Sequence, residues 1–124
     1  MRYFFVLLAM LTTLKSFAAP STQGHGVILL YHHVAVDTPP STSISPEKFK
    51  EHLEFLRDNN YSVIALDKMI KSAREGTYLP DKSVAITFDD GYSSIYETAF
   101  PLLKSFGFPF TLFLSTGPID REQQ

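Results

Sequence analysis

The sequence predicts an α/β protein built on a parallel sheet, with the element order β-α-β-α-β-α-β. Three observations carry this expectation. Four short apolar runs, at residues 27–31, 62–66, 84–88 and 110–114, are rich in β-branched or aromatic residues and do not alternate with polar ones. That is the pattern of strands buried on both faces. Helical periodicity fills the intervals between them, and each interval is long enough for a right-handed crossover between parallel strands. Such a unit belongs to an α/β barrel or to an open doubly wound sheet.

The first element in the chain is not part of that fold. Met1 and Arg2 make a short positive start, residues 3–14 are almost unbroken apolar, and small residues follow at Ser16 and Ala18. This predicts a signal peptide over residues 1–18, cut after Ala18, and export to the periplasm or the exterior. The apolar run is shorter than the roughly 20 residues of a membrane span, so a membrane is met only if the segment stays uncleaved. Residues 19–26 read as a polar leader, and residues 27–124 as the amino-terminal part of a truncated domain. There is no cysteine, so stability must come from packing rather than disulfides even in an oxidising compartment. Removing residues 1–18 takes away Arg2 and Lys15 and moves the formal charge from −2 to −4. With no basic patch, nucleic acid is not expected as a partner. Oligomeric state is not legible.

After the first strand, Ser45 is a predicted N-cap and Pro46 occupies the first helical position, where its missing N–H costs nothing. Phe49, Leu53 and Leu56 then fall on one face. Asp67 is expected to cap a second helix bearing Ile70 and Ala73, which Gly76 can end. The third helical region, residues 93–106, places Tyr96, Phe100 and Leu103 on a core stripe, but Pro101 interrupts it. A kink near Ala99, or two short helices with the second opening at Pro101, should result. Gly107 closes the region and Pro109 leads into the fourth strand. Four parallel strands leave two sheet edges unpaired, so the domain is expected to be incomplete.

The chemistry gathers at the end of the third strand. Asp89 and Asp90 follow residues 84–88 directly, at the carboxyl end where parallel α/β folds bind ligands. Gly91 lets the backbone turn sharply. Adjacent side chains there point different ways, so one carboxylate can hold a cation while the other takes a proton. Asp-Asp-Gly is also an ordinary turn sequence. What argues for more is the order of a buried strand, two acids, a glycine, an aromatic residue and a helix start.

Thr87-Phe88-Asp89-Asp90-Gly91-Tyr92 resembles the first signature of the polysaccharide deacetylases, the NodB-homology or carbohydrate esterase family 4 group. So do Ile28-Leu29-Leu30-Tyr31-His32-His33-Val34, Ser45-Pro46-Glu47-Lys48-Phe49, Asn60-Tyr61-Ser62-Val63-Ile64, and the stretch from Leu102-Leu103-Lys104 to Phe108-Pro109. The likeness runs from residue 27 to about 119, towards secreted members acting on poly-N-acetylglucosamine. It implies the first half of a distorted (β/α) barrel and a metal-dependent hydrolase that removes acetyl groups from an N-acetylated polysaccharide. By the family motif, Asp89 is the general base and Asp90 a ligand of a divalent metal, zinc by default.

The departures matter as much. The family's second motif supplies two metal-binding histidines spaced His-x-x-x-His, and this chain has only His25, His32, His33 and His52, none so spaced. A catalytic ion needs about three protein ligands, so the 124 residues are expected to be inactive alone. His32 and Tyr92 are candidates for lining the pocket or touching substrate. A chelating His32–His33 pair is not expected, and His52 reads as a partly packed surface residue. A non-catalytic carbohydrate-binding remnant of the same fold is the alternative. Magnesium-dependent phosphoryl transfer lacks any glycine-rich phosphate loop to support it.

Overall fold

The computed structural model describes residues 24–117; residues 1–18, expected from the sequence to be a signal peptide, and most of the leader lie outside the described residues. Strand β1 (Gly26–Tyr31) is followed by two two-residue strands, β2 (His33–Val34) and β3 (Ser43–Ile44), and by helix α1 (Pro46–Asp58). Strand β4 (Ser62–Val63), helix α2 (Leu66–Glu75) and strand β5 (Ser83–Asp90) come next. A π-helical turn (Ile95–Ala99) runs into helix α3 (Phe100–Phe106), and β6 (Thr111–Leu114) ends the series. The α/β class and the order of the four main strands are as the sequence predicts. The small β2–β3 pair was not foreseen, because two residues carry no periodicity.

Strand β5 is the centre of the sheet. Parallel β1 runs along one edge of it, from Gly26 opposite Ser83 to Tyr31 opposite Phe88. The other edge is shared: β4 pairs with Ser83 and Val84, and β6 pairs with residues 87–90. Every residue from Ser83 to Phe88 is buried. Val84, Ile86 and Phe88 pack with Phe49, Leu53 and Leu56 of α1 and with Ile95, Ala99 and Leu103. Ala85, on the opposite face, packs with Leu66, Met69 and Leu79. Thr87 is buried too, and its hydroxyl donates to the Leu29 carbonyl at 3.0 Å, which removes the cost of an unpaired polar group.

Helix α1 is built as predicted. The Ser45 hydroxyl accepts from the Lys48 N–H at 3.3 Å, Pro46 opens the helix, and Phe49, Leu53 and Leu56 are its buried residues. Three expectations need correction. Ala65, not Asp67, is the N-cap of α2, and the helix buries Leu66 and Met69 while Ile70 and Ala73 face outward. The apolar run at 62–66 is strand for only two residues, and Leu66 already belongs to the helix, which turns the helix face from the expected one. In the third helical region the buried stripe is Ile95, Ala99 and Leu103, whereas Tyr96 and Phe100 are exposed and stack on each other. Ala99 is fully buried, in the same core cluster as Val84, Ile86 and Phe88. In place of the expected kink or two separate helices, the segment stays helical through Pro101: a π-helical turn up to Ala99 continues into an α-helix from Phe100, with helical backbone at both residues.

Burial of both faces holds for β5 alone. Val27, Ile28 and Leu30 of β1 are more than half exposed, and Phe113 and Leu114 of β6 at least half. Among the described residues nothing pairs with the outer edge of β1.

Candidate active site

The ladder of β5 runs through both acids. Asp89 lies opposite Phe113 and Asp90 opposite Leu114, so the carboxylates stand on the last two residues of the central strand, at its carboxyl end. Asp90 has φ of 71° and Gly91 of 82°, two successive left-handed residues. The Gly91 N–H donates to the Asp89 carbonyl at 2.9 Å, closing a three-residue turn around Asp90. Left-handed backbone is costly for a residue with a Cβ and is tolerated best by Asn and Asp. The turn therefore ends the strand and separates the two side chains in direction.

His32 occupies the single residue between β1 and β2. Its Nε2 lies 4.0 Å from Asp89 Oδ2, longer than a direct hydrogen bond, with both side chains about a third exposed. His33 turns the other way and stacks on Tyr92, with ring centroids 3.6 Å apart and planes inclined by 25°. The two histidines thus diverge. The negative charge of Asp90 is the main cause that holds Tyr92 above the ordinary tyrosine pKa. Behind the site, Tyr31 packs edge-on against Phe49 and donates its hydroxyl to His52 Nδ1 at 3.0 Å, if that nitrogen is unprotonated. Burial pushes the Tyr31 phenol up to about 12.

Two contacts of the site were not legible in the sequence. One is the His33–Tyr92 stack, and the other is a hydrogen bond from the Val34 N–H to Ser94 Oγ at 3.2 Å. Both join residues about 60 positions apart, and no local pattern announces such a pairing.

Among the described residues no three His, Cys, Asp or Glu side chains come together as a metal-ligand set. Asp90 offers one carboxylate, and His32 approaches Asp89 rather than Asp90. The described residues by themselves therefore do not fit a divalent cation.

Residues 76–124 match the family model described as polysaccharide deacetylase. Over 99 residues the chain is 32% identical to the poly-beta-1,6-N-acetyl-D-glucosamine N-deacetylase of Escherichia coli O157:H7, which is 77% of this chain and 15% of that protein. A relative of the same name from Staphylococcus epidermidis is 36% identical over 77 residues, 62% of this chain and 26% of the relative. Among solved structures, IcaB from Ammonifex degensii is similar at a TM-score of 0.66 and 33% identity, over 74% of this chain and 39% of that one. The chain thus spans less than a third of the length of these curated relatives.

Proposed function

We propose that this chain, which carries part of a NodB-type polysaccharide deacetylase domain, belongs to a metal-dependent enzyme that removes N-acetyl groups from an amino-sugar polysaccharide. The observation that carries the reading is the pair Asp89–Asp90 on the last two ladder residues of β5, at its carboxyl end, where the left-handed Asp90–Gly91 corner ends the strand. In this reading Asp89 is the general base. It accepts a proton from the water that attacks the acetyl carbonyl carbon; the carbon–nitrogen bond then breaks to give acetate and a free amine. His32 and Tyr92 line the mouth of the site on either side of the acids.

Asp90 is assigned as one ligand of a divalent cation, zinc in the first instance, whose other donors are not among the described residues. A polypeptide of these 124 residues is accordingly expected to be inactive alone. Poly-N-acetylglucosamine is the substrate class favoured by the names of the relatives. Residues 1–18, read as an export signal, support a location beyond the inner membrane, periplasmic or extracellular.

The test is acetate release from acetylated glucosamine oligomers. The 124-residue polypeptide should release none, while protein expressed from the same reading frame continued past Gln124 should release acetate and lose that activity in Asp89→Asn. Acetate release by the 124 residues would overturn their inactivity. A frame that continues without a His-x-x-x-His pair, giving protein that binds the oligomers without hydrolysing them, would favour a carbohydrate-binding remnant instead.

A further inference from the structure

We infer that Ser94 and His33 are positioning residues that hold the His32 imidazole beside the Asp89 carboxylate. The inference deepens the proposed function and rests on its reading of Asp89 as the base. His32 lies outside both neighbouring ladders: β1 ends at Tyr31 and β2 begins at His33. On its amino-terminal side the backbone is fixed by the pairing of Tyr31 with Phe88, one residue before Asp89. On its carboxyl-terminal side the His33 and Ala35 N–H groups donate to the Thr42 and Ile44 carbonyls of the β2–β3 pair at 3.1 and 3.0 Å, and three further contacts act. Val34 is fully buried in the core, its N–H donates to Ser94 Oγ at 3.2 Å, and the His33 ring lies on Tyr92 at 3.6 Å.

Tyr92 and Ser94 follow Asp89 by three and five residues, in the segment that leaves the Asp90–Gly91 corner. The strand side of the site and the helix side are therefore tied at two adjacent points, next to the pair they frame. The stack sets the lateral position of the 32–34 segment, and the hydrogen bond sets its height above the turn. Without them, residue 32 would be held through Tyr31, the burial of Val34 and the β2–β3 pairing, which fix the backbone on either side, and a single residue between two anchors keeps freedom in its side chain. The His33 ring is committed to Tyr92, which leaves His32 as the imidazole that faces the acid.

The experiment is NMR on the labelled 124-residue polypeptide, at concentrations below self-association, reading cross-relaxation between the His32 ring protons and the Asp89 β protons. Wild type should show these cross-peaks. Ser94→Ala and His33→Ala should each weaken them, and the double variant should lose them. Ser94→Thr and His33→Phe should keep them, because each restores one tie and a generally destabilised fold would gain nothing from that. Amide shifts of Leu53, Ile86 and Leu103 report whether the core is intact. Cross-peaks that persist in the double variant over an intact core would overturn the inference, as would conservative variants that behave like alanine. If the double variant fails to fold, the alanine and conservative single variants decide on the same criteria. An absence of deacetylation by any form of the protein would remove the role of Asp89 yet leave these cross-peaks unchanged, so the two readings fail separately.

Discussion

At the scale of single residues, the corner after β5 concentrates conformational cost where the proposed chemistry lies. A Cβ on Gly91 would stand 2.5 Å from Leu114 Cδ2, and the backbone there has φ of 82°. Two costs compete, and they are separable. Leu114 is exposed and its methyl is the far end of a flexible side chain, so it can swing away. The left-handed backbone has no such escape and costs roughly 1–2 kcal/mol for a residue with a Cβ. Gly91→Ala should thus destabilise by about 1–2 kcal/mol in urea unfolding. Adding Leu114→Ala should not recover it, whereas recovery would identify the steric contact as the cause. Tyr31 supplies a pH test. Burial raises its folded pKa from 10.0 to about 12, so the folded state favours the neutral phenol. That contribution is fully present below pH 10 and is lost as pH rises from 10 through 12. Unfolding curves across that window should fall more steeply for wild type than for Tyr31→Phe, which has no phenol to ionise. Parallel slopes would show that the phenol is solvated.

At the scale of elements, local signals were legible where capping and periodicity agreed. In α1, the Ser45 cap, Pro46 and the 49-53-56 stripe all point one way, and the helix forms as read. Ser45→Ala should cost about 1 kcal/mol, because it leaves the Lys48 N–H without its acceptor. The same cap acts on Glu47, whose carboxyl is held below its ordinary value first by its backbone hydrogen bond and then by Ser45. A depressed folded pKa stabilises above the unfolded value and is lost as pH falls through the folded one. The difference between wild type and Ser45→Ala should therefore shrink on acidification below about pH 4.5. An unchanging gap would mean that Glu47 does not share the cap. Elsewhere the local signals ran short. Asp67 looks like a cap, yet the strand before it stops at Val63 and the helix has already begun at Leu66. Tyr96, Phe100 and Leu103 make a convincing stripe on an ideal helix, but a π-helical turn breaks the period, and Ile95, Ala99 and Leu103 are buried instead. The acids were legible because a strand end and a glycine mark them. His33, Ser94 and the β2–β3 pair were not, since tertiary contacts alone define them.

At the scale of the whole molecule, the sequence pattern of β1 and β6 and the observed exposure of those strands disagree in an informative way. Non-alternating apolar strands imply cover on both faces. Strand β5 has that cover, but Val27, Ile28 and Leu30 of β1 are 54–56% exposed, and Phe113 and Leu114 of β6 at least half. Among the described residues the outer edge of β1 also lacks a partner strand, so its backbone groups and its apolar side chains are open together. Such an edge is a template for pairing with another chain, and a contiguous apolar face of this kind marks a contact surface or an aggregation hazard. The register of β1 along β5 makes the edge six residues long, which adds to the hazard. The 124-residue polypeptide should consequently self-associate with rising concentration and bind a hydrophobic dye, as read by light scattering and dye fluorescence. Ile28→Lys and Leu30→Lys place charges on that strand, the device by which natural sheets keep edges apart. Each should lower both signals while leaving the circular dichroism of the helices unchanged. A wild-type chain that stays monomeric and dark to the dye at high concentration would mean that something in the 124 residues covers β1. Loss of helix signal in the lysine variants would instead show that Ile28 and Leu30 support the fold itself.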